Sequence, residues 1–351
     1  MNLRESFVPA VTATSPAQVL SAVPYLLGFH PRQSLVVLCL DAVNSWVRMT
    51  MRMDLPDPSW HRRLADEVAI RVAREGPGSI ILLCYDDSGP PDGQDVHDCP
   101  LPRQDLVDAI AERLADGPVG VLDAVLVRAG RWWSYLCADP VCCPPDGAAL
   151  PGPEDGLAGW LAAEAAVGGR RTLAAREELV AGVAGPVGPS LASARAAFAR
   201  AAAQLMADAG GPETTLAATL ATVDSVAQRY LAQGHEIADD EVARICLGLA
   251  EPRTRDAVMS LPVAEHPGWP ALLIDLARRT PDEDAVAICT VLAWAAAERG
   301  DGALANVALD RALAADPGHL LARLLRCGLD AQLSPEGIRS LSSRREGWMP
   351  P

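Results

Sequence analysis

Three cysteines fall within seven positions in Cys137-Ala-Asp-Pro-Val-Cys142-Cys143, directly after the aromatic run Arg131-Trp132-Trp133-Ser134-Tyr135. As thiolates they could bind zinc, with Cys99 or His97 from an upstream loop as a fourth ligand. The spacing is not that of a zinc ribbon or knuckle, and adjacent cysteines do not easily both face one tetrahedral ion. A packed structural turn and thiol redox chemistry are therefore the competing readings. A second candidate is the pair Asp86-Asp87, which follows the apolar run from Ser79 to Tyr85. Two carboxylates at the end of a buried strand could hold a divalent metal or serve as acid and base, or could simply be solvated turn residues. The third is His30, Arg32 and Ser34, an imidazole, a guanidinium and a hydroxyl within five residues, which could bind an anion or a carboxylate. The structural alternative is a rigid Pro31 turn in which Ser34 bonds backbone and His30 fills a pocket. Trp132 and Trp133 must point to opposite faces of their strand, so only one can be core in a one-sided sheet; the other rests under a helix of the second domain or covers a binding surface, and Trp132 is a candidate ligand-binding residue.

The elements that position these groups are legible from periodicity. Ser15 caps a helix opened by Pro16, and Gln18 stands where a capping box would place it. Val19, Leu20, Val23, Leu26 and Leu27 recur at helical spacing, Pro24 predicts a kink or restart, and Gly28 predicts the stop. Leu35 to Leu40 is an unbroken apolar run and predicts a central, doubly buried strand. Phe7 to Thr12 suits a short edge strand. A turn over Ala42 to Ser45 then leads into an alternating antiparallel strand from Trp46 to Met53. Asp57 and Pro58 open a helix that ends at Gly76, and Pro102 opens another. Val121 to Arg128 and Arg131 to Cys137 form a hairpin about Ala129-Gly130.

From Pro144 to Gly156 the chain is PPDGAALPGPEDG, and beyond it only alanine-rich helical patterns remain. The expected architecture is an α/β domain (mixed sheet with antiparallel hairpins) over residues 1–147 and a linker over 148–156. An all-α, partly tetratricopeptide-like helical domain over 157–343 and a tail over 344–351 complete it. The tetratricopeptide-like texture lies in Asp282 to Leu325, with small residues at Ala293, Ala305 and Ala312 and a turn at Asp316-Pro317.

The chain has 351 residues and a net charge of −15, and all 30 of its basic residues are arginine, in no run longer than a pair. That balance argues against nucleic-acid binding and against an anionic membrane surface. The N-terminal residues lack a secretion-signal pattern and no apolar stretch approaches a membrane span, so a cytoplasmic location is expected. Nine cysteines, several inside apolar runs, read as reduced core residues. No Walker motif, G-x-G-x-x-G, HExxH or catalytic Cys-His signature occurs.

Three segments resemble a known family. LLGFHPRQSLVVLCL (Leu26 to Leu40), RWWSYLCADPVCCPPDG (Arg131 to Gly147) and GDGALANVALDRALAADPGHLLARLL (Gly300 to Leu325) are similar to the actinobacterial proteins grouped as domain of unknown function 4192. The resemblance spans nearly the whole chain. It implies an actinobacterial, cytoplasmic protein and carries over no activity, substrate or catalytic residue.

These observations favour a non-enzymatic ligand-binding, protein-binding or scaffold protein whose partner is a protein or a small ligand. The alternatives are a metal-dependent hydrolase or nucleotide-processing enzyme that uses Asp86, Asp87 and the cysteine turn, and a thiol redox sensor. No cofactor is expected other than zinc at Cys137, Cys142 and Cys143.

Overall fold

The computed structural model describes residues 13–43, 45–76, 78–88, 101–152, 156–167, 172–207, 211–234, 236–334 and 336–338. The edge strand expected at 7–12 and the tail at 344–351 lie outside these residues. The chain divides into two compact units, 1–176 and 177–351.

The first unit begins with α1 (Pro16–Leu27), where the Ser15 side chain accepts from the Gln18 N–H at 3.4 Å. The Gln18 side chain reaches back one residue further than a capping box requires, accepting from the Thr14 N–H at 2.7 Å. Pro24 sits inside one continuous helix, and Gly28 ends it with φ +80°. Strand β1 (Ser34–Leu40) is buried at every position. It lies inside a six-stranded mixed sheet with β2 (Val47–Asp54), β3 (Ser79–Tyr85), β4 (Gly120–Arg128), β5 (Arg131–Ser134) and β6 (Ala148–Ala149), in the order β2-β1-β3-β4-β5-β6. Strands β3 and β4 are parallel and every other neighbouring pair is antiparallel.

Register decides what meets at each end of the sheet. Ser34 is opposite both Tyr85 and Asp54, and Tyr85 is opposite Val127. The start of β1 and the end of β3 therefore share one end of the sheet. One face is covered by α2 (His61–Glu75) and α3 (Gln104–Leu114), whose Leu64, Val68, Val72, Leu106, Val107 and Ile110 pack on Leu35, Val37, Ile80 and Leu82. Each such side chain, fully buried, is worth about 1.5–3 kcal/mol, so this layer is what holds the ends of α2 and α3 over the end of β3. On the other face α1 lies near the sheet, and its Val19 shares a hollow with Ile81, Leu83 and Val125.

The hairpin between β4 and β5 turns at Ala129 (φ +47°) and Gly130 (φ +75°), the left-handed pair that a two-residue turn of this twist requires. The break expected at 148–156 is displaced. Ala148 pairs with Trp132 as β6, helix α4 (Gly156–Val167) packs on α1, and the Leu173 backbone bonds to Gly28 and His30. Backbone groups that pair with the sheet and with the end of α1 tie these residues to the first unit, and the division falls at 176/177.

The second unit is helical throughout its described residues: α5 (Arg176–Val183), α6 (Gly188–Ala207), α7 (Gly211–Gln233), α8 (Asp239–Gly248), α9 (Pro252–Met259), α10 (Trp269–Arg278), α11 (Ala285–Glu298), α12 (Gly302–Ala315) and α13 (Leu320–Asp330), with short 3-10 turns. Helix α11 is its axis, buried around almost its whole circumference. Ala293 on α11 and Ala305, Ala308 and Ala312 on α12 are small enough to let neighbouring helices approach closely. Trp269 and Trp294 are buried in this core, as interhelical packing predicts.

Candidate functional site

At the end of β3 a line of polar side chains runs from the surface into the first unit. Asp86, 1% exposed, follows the last residue of β3 and holds its backbone N–H on Val127 O. Its Oδ1 accepts from the Ser88 N–H at 2.9 Å and from the Ser88 hydroxyl, and its Oδ2 accepts from Arg103 Nε at 2.6 Å. Arg103 precedes α3 with φ +64°, and its Nη1 donates to Pro56 O at 3.0 Å and meets His61 Nε2 at 3.1 Å. His61, the first residue of α2 and buried, contacts Asp105 Oδ2 through Nδ1 at 2.6 Å.

The protonation of this line follows from what each group can do. A guanidinium only donates, so His61 Nε2 must accept, and the ring proton sits on Nδ1 facing Asp105. Both ring nitrogens are thus engaged. Burial alone would raise the pKa of Asp86, but the bonds from Ser88 and Arg103 outweigh it and hold the carboxyl below the usual range. A buried aspartate paired with a partly buried arginine, and a carboxylate–imidazole pair beside them, could orient a proton donor. In this arrangement they satisfy one another.

Sequence reasoning identified Asp86 but not its partners. Asp87 bonds a different partner, its Oδ1 accepting from the Ala129 N–H at 3.1 Å. Ser34 is buried and bonds backbone as expected, donating to Arg32 O at 2.5 Å, and it also accepts from Arg52 Nε at 2.9 Å. His30 and Arg32 are exposed, and partial burial together with the Arg32 charge lowers the pKa of His30. The turn reaches Asp86 through Gln33 instead. Gln33 has φ +42°, and with its side-chain amide turned so that the nitrogen faces Asp86 it donates to Asp86 Oδ1 and accepts from the Asp87 N–H, each at 3.1 Å. Arg103 stands 17 residues from Asp86, His61 stands 42 and 44 residues from Arg103 and Asp105, and Gln33 stands farther still from Asp86, so no local spacing marks them.

The cysteine turn lies elsewhere on the sheet. Strand β5 starts opposite Arg128, at the Asp86 end, and runs back so that Ser134 faces Val125. The cysteines therefore follow after the chain has left that end. The sulfurs of Cys137, Cys142 and Cys143 all lie within 4.8 Å of one another. The Asp139 N–H and the Cys143 thiol favour the Cys137 thiolate and lower its pKa, while burial and the neighbouring thiols push Cys143 up to about 12. His97 and Cys99, the expected fourth ligands, lie outside the described residues. Trp132 is buried with no hydrogen-bond partner for its Nε1, whereas Trp133 is partly buried, packs against the core beneath α2 and α3, and donates its Nε1–H to Pro145 O at 2.9 Å.

No helix among the described residues is long and apolar enough to cross a membrane. No curated protein and no solved structure matches the chain. A family described as "Domain of unknown function (DUF4192)" matches residues 16–336, which takes in the whole sheet, the Asp86 line, the cysteine turn and all the helices from α1 to α13. The chain belongs to the family of domain of unknown function 4192.

Proposed function

We propose that this protein is a non-enzymatic binding or scaffold protein, cytoplasmic and of actinobacterial origin. In this reading the helical unit offers a tetratricopeptide-like surface to a protein partner. The observation that carries the reading is an apolar pair on α13. Leu320 and Leu324 are 65% and 49% exposed one helical turn apart, while Leu325 beside them is buried in the core. Side chains at i and i+4 on the outer face of a helix are the anchors by which helical surfaces take up another helix. The close packing of α11 and α12 through alanines, followed by a turn at Asp316-Pro317, supports the tetratricopeptide-like geometry.

The Asp86 line supports the same reading from the other unit. Its acid and base groups are spent on one another, and their role there is to pin the ends of α2, α3 and β3 together. The metal-dependent hydrolase alternative retains one favourable observation, the cluster of three thiols, whereas Asp86 and Asp87 bond different partners.

The test immobilises the intact chain and compares it with the doubly substituted Leu320→Glu, Leu324→Glu chain. A bound protein should be retained by the first and weakened at least about tenfold in the second, with helicity by circular dichroism unchanged. If both chains retain the same proteins, or neither retains any above a charge-matched control, the reading fails.

A further inference from the structure

We propose that Cys137, Cys142 and Cys143 form a binding site for one thiophilic d10 metal ion, zinc(II) or copper(I), held by three thiolates. The site is independent of the helical surface proposed above.

The sulfurs are already gathered: all three lie within 4.8 Å of one another. Zinc–sulfur bonds of about 2.3 Å place tetrahedral sulfurs about 3.8 Å apart, so side-chain rotation of roughly 1 Å at most closes the set. Packing does not account for the gathering. Cys142 is exposed and the other two are only partly buried, whereas Cys39, Cys84, Cys246 and Cys289, which do serve as core residues, are fully buried.

The loop that carries them is built. At its start the Ser134 hydroxyl accepts from the N–H groups of Leu136 and Cys137, both at 3.1 Å. In its middle the Cys143 N–H donates to Asp139 O at 2.7 Å, and the Asp139 carboxylate accepts from the Val141 N–H at 2.9 Å. At its end Arg131 donates to Asp146 O and Gly147 O, both at 2.7 Å, and Trp133 donates to Pro145 O. Gly147 has φ +72°, and a Cβ there would fall 2.4 Å from the Trp133 ring, so only glycine lets the loop close against the tryptophan. The Asp139 N–H is also directed at the Cys137 sulfur, the kind of outer contact that orients a thiolate ligand.

Soft thiolate ligands select copper(I) and zinc over the hard divalent ions. Three thiolates fill a trigonal site for copper(I) and leave zinc with one position for water or an external ligand. Binding replaces the thiol protons, so each ion taken up releases up to three protons and affinity falls as pH drops.

The experiment uses the intact chain, reduced and stripped of metal under anaerobic conditions, and titrates it separately with zinc(II) and with copper(I) against chromophoric competitors. At least one ion should bind at about one equivalent per chain with release of protons. Cobalt(II) should report thiolate ligation by sulfur-to-metal charge-transfer absorption. Cys137→Ser and Cys142→Ser should each weaken binding at least about a hundredfold, whereas Cys327→Ser, at an exposed cysteine in the other unit, should leave it unchanged. The proposal is overturned if neither ion exceeds about a tenth of an equivalent, or if binding survives Cys137→Ser and Cys142→Ser together.

Discussion

Each unit of the chain holds a largely buried arginine that bonds several of its segments together, Arg103 in one and Arg311 in the other, and the two are satisfied in different ways. Arg103, in the α/β unit, pairs with Asp86, a carboxylate 1% exposed, and adds one carbonyl and an imidazole nitrogen. Arg311, in the helical unit, donates to the carbonyls of Val183, Ala277 and Thr280 at 2.6–2.7 Å and to Asp282, whose side chain is 78% exposed. Both guanidiniums are about equally buried. What differs is what each would leave behind. Without Arg103 a buried charge loses its counterion, whereas without Arg311 the carboxylate stays in water and the carbonyls are neutral. The cost of losing a buried arginine is therefore set by its partner's burial more than by its own.

Replacing each arginine by methionine, which keeps most of the side-chain volume, puts that contrast to a direct test. Arg103→Met should destabilise the α/β unit by about 3–5 kcal/mol, the usual cost of stripping one member from a buried ion pair, read as a shift of its urea transition. Arg311→Met should cost the helical unit about 2 kcal/mol, the scale of lost charge-assisted hydrogen bonds to neutral acceptors. Equal losses, or a larger one at Arg311, would break the comparison.

A smaller effect probes the Arg311 end alone. A Cβ at Gly185 would lie 2.6 Å from both Arg311 Nη2 and Asp282 Oδ1, the movable ends of two side chains. Gly185→Ala should cost about 1 kcal/mol. Combined with Arg311→Met it should cost clearly less than the sum, because both changes disturb one set of bonds.

The last effect is a slope, confined to acid pH. The pKa of Asp86 is depressed in the folded protein, so its contribution to stability is complete above the unfolded value near 4 and is lost as pH falls through the depressed value. In Asp86→Asn the acid limb of stability against pH should be shallower by up to about 1.4 kcal/mol per pH unit. An unchanged limb below pH ~4 would show that Asp86 does not bind its proton with unfolding.

Much of the local structure was readable from residue order. The Ser15 cap, the Gly28 and Gly76 stops, the buried β1 and β3 and the Ala129-Gly130 turn follow from capping, periodicity and turn chemistry. The domain break was less readable, because Pro and Gly between 144 and 156 mark where the chain bends and not which unit its backbone then bonds to. The three clustered cysteines could be picked out because they are neighbours in the chain. Asp86 could be noticed as an aspartate ending an apolar strand, but nothing near it pointed to Arg103, His61 or Gln33.

By itself the amino-acid sequence determined the elements, their faces and the membership of three thiols in one short loop, since these depend on contacts within a few residues. Only the tertiary structure decided the strand order, and with it every longer-range meeting. The antiparallel register of β1 and β3 brings Gln33 to Asp86, the packing of α2 and α3 on one sheet face brings His61 and Arg103 there, and the turn at Ala129 draws Asp87 away. Those meetings are set by which apolar faces bury one another across many tens of residues. That choice is a property of the whole core, and no short stretch of the chain contains it.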